Sequence, residues 1–107
     1  MISLTEVDHQ SANLTLDGEL TIYVAENFQQ ELNAYLSKYK KIKVDMSDVS
    51  ELDTSCYQVL LRAKLLSKKN NTLFHIGKVS EEAKQVFDIY NLEDIFEGFD
   101  TSDSMKG

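Results

Sequence analysis

The stretch IKVDMSDVSELDTSCYQVLLRA, residues 42–63, changes its hydrophobic period part-way along. Ile42, Val44 and Met46 alternate with polar residues, and this period of two is typical of a β-strand. After Ser55 the apolar residues recur three and four positions apart, as on one side of an α-helix; they are Cys56, Val59, Leu60, Ala63 and Leu66. The stretch therefore predicts a strand, a short connection and a helix.

The N-terminal third contains a longer alternating segment. Its apolar side consists of Leu14, Leu16, Gly18, Leu20 and Ile22. Asp17-Gly18 is a dipeptide that is common in hairpin turns, but the alternation keeps its phase across the glycine. We therefore predict one long strand with a bulge at Gly18, preceded by a shorter strand that contains Ile2 and Leu4.

Helical and extended patterns alternate in the rest of the chain. Residues 25–39 have apolar positions three and four apart, which predicts an amphipathic helix. TLFHI, residues 72–76, predicts a strand, and Ser80 followed by two glutamates predicts the start of a third helix. The order β-β-α-β-α-β-α predicts an α/β fold with a mixed, largely parallel sheet of four to five strands and three main helices packed on it.

Composition limits the class of protein. The length of 107 residues and the hydrophobic content of 42% predict a single domain, which we assign to residues 1–99, followed by a disordered tail at 100–107. A single cysteine and the absence of an N-terminal apolar run predict a cytoplasmic protein. The net charge of −7 argues against nucleic acid and anionic membrane surfaces as partners. No segment reaches the roughly 20 apolar residues of a membrane span.

The connection before the second helix is the main candidate for chemistry. Asp, Ser and Thr are preferred N-cap residues worth about 1 kcal/mol, so Asp53, Thr54 and Ser55 first predict a helix start. Cys56 is on the apolar side of the helix and has no histidine near it in the sequence, so we predict a small buried residue rather than a nucleophile. The sequence has no phosphate-binding glycine loop and no cluster of metal ligands. The residues themselves therefore indicate no catalytic site, and we predict no cofactor or metal.

Three segments, in order and correctly spaced, resemble the STAS domain, the family of anti-sigma-factor antagonists that includes stand-alone bacterial modules. They are LTLDGELTIYVAENF, residues 14–28; IKVDMSDVSELDTSCYQVLL, residues 42–61; and VFDIYNLEDIF, residues 86–96. The resemblance extends from about Ala12 to Phe99.

The resemblance implies a partner-switching regulatory protein, not an enzyme, that acts in signal transduction and transcription regulation. In the family, a hydroxyl at this helix start is phosphorylated by a partner serine kinase that also acts as an anti-sigma factor. Phosphorylation releases the partner, and a phosphatase restores binding. Ser55 matches the phosphorylated position, and Thr54 is the second candidate. We predict that the partner-binding residues are Asp53, Thr54, Ser55, Cys56, Tyr57, Gln58, Arg62 and Thr21.

The chain departs from the family pattern at three positions. The family's glycine is Cys56 here, its following leucine is Tyr57, and the acidic residue common after the Gly-Glu-Leu corner is Thr21. Because glycine permits close approach of a partner backbone, these changes alter the shape of the expected partner surface.

Other roles stay open at this point. The resemblance also extends to cytoplasmic STAS subunits of lipid-transport complexes and of chemotaxis-type signalling, in which the Asp-Thr-Ser segment is a cap and a contact without modification. Nucleotide binding is a weaker alternative, since no loop that could hold a phosphate is present. We expect a monomer or a weak dimer.

Overall fold

The computed structural model describes residues 2–90 and 100–101 of the chain. Within them the elements are β1 (Ile2–Asp8), β2 (Ser11–Leu20), α1 (Ala25–Lys38), β3 (Lys41–Leu52), α2 (Thr54–Lys69), β4 (Leu73–Val79), α3 (Glu81–Tyr90) and β5 (Asp100–Thr101). The predicted element order and the α/β class are confirmed.

The described strands form one sheet in the order β1-β2-β3-β4-β5. β1 and β2 pair antiparallel, and each later pairing is parallel. Parallel neighbours need crossover connections, which α1, α2 and α3 provide. Because each strand is added on the same side of the previous one and crossovers are right-handed, these helices lie on one face of the sheet.

Burial in the strands follows this one-sided arrangement. Leu14 and Leu16 of β2 are buried, whereas Asn13 and Thr15 are exposed. The core lies between the sheet and the helices, and its largest fully buried side chains are Tyr39, Tyr57, Phe74, Phe87, Leu14, Leu16, Leu20, Leu32, Ile42, Met46 and Leu60. The opposite face of the sheet carries polar side chains.

Gly18 lies inside β2, as the unbroken alternation predicts. Its φ is +80°, in the left-handed region that favours glycine. The register between β2 and β3 shifts between Gly18 and Glu19, so the expected bulge is present and the hairpin turn is not. The irregularity lets one strand continue to Leu20, where the connection to α1 begins.

Two strand boundaries and the exposure of one helix residue differ from the sequence prediction in the following ways. β3 continues past Met46 to Leu52, because two register shifts against β2 move Val49 and Leu52 onto the buried side after the simple alternation has ended. β2 ends at Leu20, so Ile22 is outside the strand and 66% exposed instead of buried. Leu66 lies at the solvent edge of α2 and is 41% exposed.

Polar side chains join elements that are distant in the sequence. Lys64 of α2 is buried, and its Nζ donates to the backbone oxygen of Phe74 in β4 at 2.7 Å. The hydroxyl of Tyr39 donates to Glu6 of β1 at 2.6 Å. Ser80 accepts from the backbone N–H of Ala83 at 3.1 Å and caps α3, as predicted.

The C-terminal predictions fall largely outside the described residues. The assigned domain boundary at residue 99 lies there, and of the predicted tail only Asp100 and Thr101 are described, as strand β5 beside β4. Among the described helices, none combines the length and apolar character needed to cross a bilayer.

Candidate functional site

The start of α2 is built around the carboxylate of Asp53. Asp53 has an extended backbone and is the N-cap of the helix. Its Oδ1 accepts from the backbone N–H of Cys56 at 3.2 Å and from the hydroxyl of Ser55 at 2.5 Å. The cap satisfies a backbone donor that a helix start otherwise leaves unpaired.

The same carboxylate binds the connection between β2 and α1, residues 21–24, which we call the corner. Asp53 Oδ2 accepts from the backbone N–H of Ile22 at 2.7 Å, and the backbone N–H of Asp53 donates to Leu20 at 3.0 Å. The thiol of Cys56 donates to the backbone oxygen of Thr21 at 3.3 Å. The helix start and the corner are therefore held together, although they are about thirty residues apart in the sequence.

The protonation of Asp53 reflects these contacts. Partial burial acts to raise its pKa, but the hydrogen bonds from Ser55, Cys56 and Ile22 outweigh that effect. The pKa of Asp53 is lowered from its ordinary value of 3.8. The group is therefore a carboxylate at neutral pH, and it accepts charge-assisted hydrogen bonds.

The two candidate hydroxyls occupy the first turn of α2. Thr54 is exposed, and Ser55 is half-buried with its hydroxyl turned to Asp53. Ser55 is therefore at the boundary between the core and solvent and is not sealed in the interior. A modifying enzyme would have to turn its hydroxyl away from Asp53.

Cys56 and Tyr57, two of the predicted partner contacts, do not lie on the surface of the folded chain. Cys56 is 0% exposed and Tyr57 is 1% exposed. The ring of Tyr57 packs edge-on against Phe87 of α3, with ring centroids 5.3 Å apart. Burial, together with the charge of Asp53, raises the pKa of Cys56 to about 11, so the thiolate that a nucleophile requires is disfavoured.

The remaining predicted contact residues are accessible. Gln58 is half-buried and Arg62 is exposed, and with Thr54 they follow one another at intervals of four along α2. Residues spaced by four lie on one side of a helix, so the three form a row that begins at the candidate site. Thr21 is half-buried beside Cys56.

Comparison with known families agrees with this architecture. A family model described as Mlab, STAS domain matches residues 3–97, which is most of the chain. The chain belongs to the STAS family. A comparison with curated protein sequences finds no match.

Solved STAS structures have the same fold. A Thermotoga maritima protein assigned as an anti-sigma factor antagonist is 23% identical, with a TM-score of 0.81 over 94% of this chain and 87% of that chain. The anti-sigma factor antagonist SpoIIAA in its unphosphorylated form is 16% identical, with a TM-score of 0.77 over 95% of this chain and 88% of its own. The Bacillus cell fate determinant SpoIIAA in its phosphorylated form is 15% identical, with a TM-score of 0.73 over 95% and 91%.

The sequence pattern did not predict an exposed apolar surface of this STAS domain. Ile22 is 66% exposed, Tyr23 is 93% exposed and Val24 is 38% exposed, and all three lie in the corner. The period-two pattern placed Ile22 in a strand and gave no information about Tyr23. A usable signal was the run of consecutive apolar residues that begins at Ile22, where the alternation ends.

A shallow groove of about 380 Å³ lies on the open face of the sheet and is lined by Asn13, Leu14, Thr15, Lys43, Val44, Asp45, His75, Gly77 and Lys78. Asp45 accepts from the backbone N–H of Ser47 at 2.8 Å and from its hydroxyl at 2.5 Å. Among the described residues of this STAS domain, no group of three His, Cys, Asp or Glu side chains could hold a metal ion.

Proposed function

We propose that this STAS domain is a non-enzymatic, cytoplasmic partner-switching protein whose binding to a protein partner is controlled by phosphorylation of Ser55. The observation that carries the proposal is the position of the Ser55 hydroxyl, which lies at the solvent boundary of a helix N-terminus and donates to Asp53 at 2.5 Å. The partner expected from the family is a serine kinase that acts as an anti-sigma factor, and a phosphatase would reverse the modification.

The immediate effect of phosphate on this geometry is repulsion. A phosphate adds about −1.5 to −2 charge at neutral pH. Two unit charges about 5 Å apart repel by about 1 kcal/mol in water and about 3 kcal/mol at an effective dielectric of about 20. Asp53 is held by Cys56 and Ile22, so Ser55 is the group that must rotate. The phosphate would therefore move outwards, towards the partner.

Repulsion within the domain is not sufficient for a switch. A change from almost fully bound to almost fully free requires about 5.5 kcal/mol of differential affinity. Exposed charge pairs contribute about 0–1 kcal/mol each, whereas an unpaired charge buried in an interface costs several kcal/mol. We therefore place Ser55 in the central, desolvated part of the partner interface.

Charge substitution at matched positions tests the proposal. Ser55→Asp should abolish capture of the partner, and Ser55→Ala should retain it. Ser50→Asp is the matched control, because Ser50 is exposed near the end of β3 and gains the same charge. Circular dichroism should show that all variants are folded. Equal capture by Ser55→Asp and Ser50→Asp would contradict the proposal.

Mass spectrometry of the protein from its own cells tests the modification directly. We expect a phosphorylated peptide that contains Ser55, with its occupancy rising when the partner is released. Fragment ions would separate Ser55 from Thr54, the second candidate. Persistent absence of phosphate from both residues while the partner is being released would refute the switch.

The second candidate function is a constitutive STAS subunit of a lipid-transport or chemotaxis-type complex that is never phosphorylated. The match of residues 3–97 to the family model described as Mlab, STAS domain is the observation that favours it. In that case Asp53, Thr54 and Ser55 are cap and contact residues only. Stable co-purification with a complex, unaffected by phosphatase treatment, would favour this function.

A further inference from the structure

The corner presents an apolar surface that the folded chain does not use. Tyr23 is 93% exposed and Ile22 is 66% exposed, and both are next to the helix start through the contact of Ile22 with Asp53. Exposed tyrosines are enriched among the residues that dominate binding energy in protein interfaces.

The corner is also held in a fixed shape. Besides the Asp53 contact, the backbone N–H of Val24 donates to Thr21 at 3.0 Å, and that of Phe28 donates to Val24 at 2.9 Å. A preformed surface loses little conformational freedom on binding, so more of the contact energy contributes to affinity. The backbone beneath Tyr23 is therefore suited to an anchor residue.

Like charges lie side by side on the strands that lead to the corner and to α2. In the β2–β3 ladder Glu19 pairs with Glu51. Like charges directly opposite each other destabilise a sheet. The sequence contains no Lys or Arg before Lys38 and none between Lys43 and Arg62. We call the carboxylates of Glu19 and Glu51 the acidic ladder.

We infer that Tyr23 and Ile22 dock into an apolar pocket of a protein partner whose rim carries lysine or arginine side chains that neutralise the acidic ladder. This inference rests on the proposed function and names the chemistry of the partner surface. The apolar corner supplies the anchor, and the ladder supplies charge complementarity, which selects the partner and speeds association.

The charges of the acidic ladder argue against two other binding partners for the corner, a second copy of the chain and an anionic membrane. A second copy on a two-fold axis would bring identical surfaces together and place one acidic ladder against another. An anionic membrane surface would repel the ladder as well, because such surfaces attract basic segments. A basic protein surface is the occupant that relieves the repulsion within the domain.

One test needs no partner. Glu51→Gln removes one charge of a like-charge pair, so the melting temperature of the isolated protein should rise by roughly 2–6 °C. Glu31→Gln, on the exposed side of α1, is the control and should leave it almost unchanged. No rise for Glu51→Gln would overturn the claim that the ladder is a repulsive pair.

Sedimentation tests whether the corner binds a second copy of the chain. The wild type and Tyr23→Ser should show the same mass, and a wild-type dimer that is lost in Tyr23→Ser would overturn the assignment of a different protein as the partner.

The second test identifies the partner through the corner. A photoreactive phenylalanine analogue replaces Tyr23 in the cells of origin, and the same analogue replaces Val7, which is 59% exposed on β1, as the control. The protein cross-linked from position 23 alone is then purified. Its affinity for Tyr23→Ser should be at least about 30-fold weaker than for the wild type, and its affinity for Val7→Ser should be unchanged. Its association with Glu51→Gln should be slower and less dependent on salt.

Ser55→Asp separates this inference from the proposed function. Weak binding of Tyr23→Ser with normal binding of Ser55→Asp would support the corner surface and refute the switch. Normal binding of Tyr23→Ser with loss of Ser55→Asp binding would refute the corner surface and leave the switch standing. The inference would also be overturned if the captured protein cross-links from the control position 7 and binds the wild type and Tyr23→Ser with equal affinity.

Discussion

Substitution of Asp53 by alanine and by serine separates two of the three hydrogen bonds that its side chain accepts, the N-cap bond from Cys56 and the bond from Ile22. Alanine removes the N-cap, worth about 1 kcal/mol, and the hydrogen bond from Ile22 to a charged acceptor, worth about 1.5 kcal/mol at a partly exposed site. The expected loss in the free energy of unfolding is therefore about 2.5 kcal/mol. Serine is itself a good N-cap but is too short to reach Ile22, so Asp53→Ser should lose only about 1.5 kcal/mol.

Urea denaturation at neutral pH measures both losses. With a slope of about 1.5 kcal/mol per molar urea, the midpoint should fall by roughly 2 M for Asp53→Ala and roughly 1 M for Asp53→Ser. Glu51→Gln removes the same charge two residues earlier and should not lower the midpoint, because Glu51 lies beside Glu19. Equal, small losses for alanine and serine would refute the idea that the carboxylate joins the helix start to the corner.

The pH dependence of stability tests separately whether the ionised carboxylate of Asp53 stabilises the fold. The pKa of Asp53 is lowered in the folded protein from 3.8, so its contribution is fully present above that value and is lost as the pH falls through the folded pKa. The difference in stability between wild type and Asp53→Ser should therefore narrow in acid. A difference that stays constant as the pH falls past 3.8 would show that the carboxylate charge is not involved.

Three further predictions concern buried side chains. Tyr57→Ala should cost about 3–5 kcal/mol of unfolding free energy in urea denaturation, because the ring packs in the core, whereas loss of partner binding at full stability would contradict its burial. The thiol of Cys56, with a pKa raised to about 11, should resist iodoacetamide at neutral pH until urea unfolds the protein; mass spectrometry detects the adduct, and rapid labelling of native protein would refute the assignment. Lys64→Ala should lower the thermal unfolding midpoint far more than Lys68→Ala, since the Lys64 ammonium is buried against the Phe74 oxygen and Lys68 is exposed.

The sequence was most informative where one physical effect dominates. Alternation of apolar residues predicted β2 across Gly18, because a strand that buries one face must keep its phase. The stripe of 25–39 predicted α1 to within one residue, because a surface helix buries a single side. The prediction that Asp53, Thr54 and Ser55 begin a helix followed from the residue types alone, whereas the bond of Asp53 to Ile22 depends on a corner that is distant in the sequence.

Tyr57 shows why surface exposure on α2 could not be predicted. A helix with one neighbour buries a narrow stripe, but α2 contacts α1, β4 and α3. This arrangement buries a wider arc, so Tyr57 and Lys64 are covered although they are outside the apolar stripe. The partners of a helix are fixed by the topology, which the local pattern of residues does not contain.

The consecutive strand order has a consequence for synthesis on the ribosome. No described strand is inserted between two earlier ones. Each strand that leaves the ribosome therefore pairs with a strand that has already been synthesised. The hairpin of β1 and β2 can form first, and each crossover then lays down one more strand. The sheet can therefore assemble strand by strand, starting with β1 and β2, while translation continues at about 5–20 residues per second.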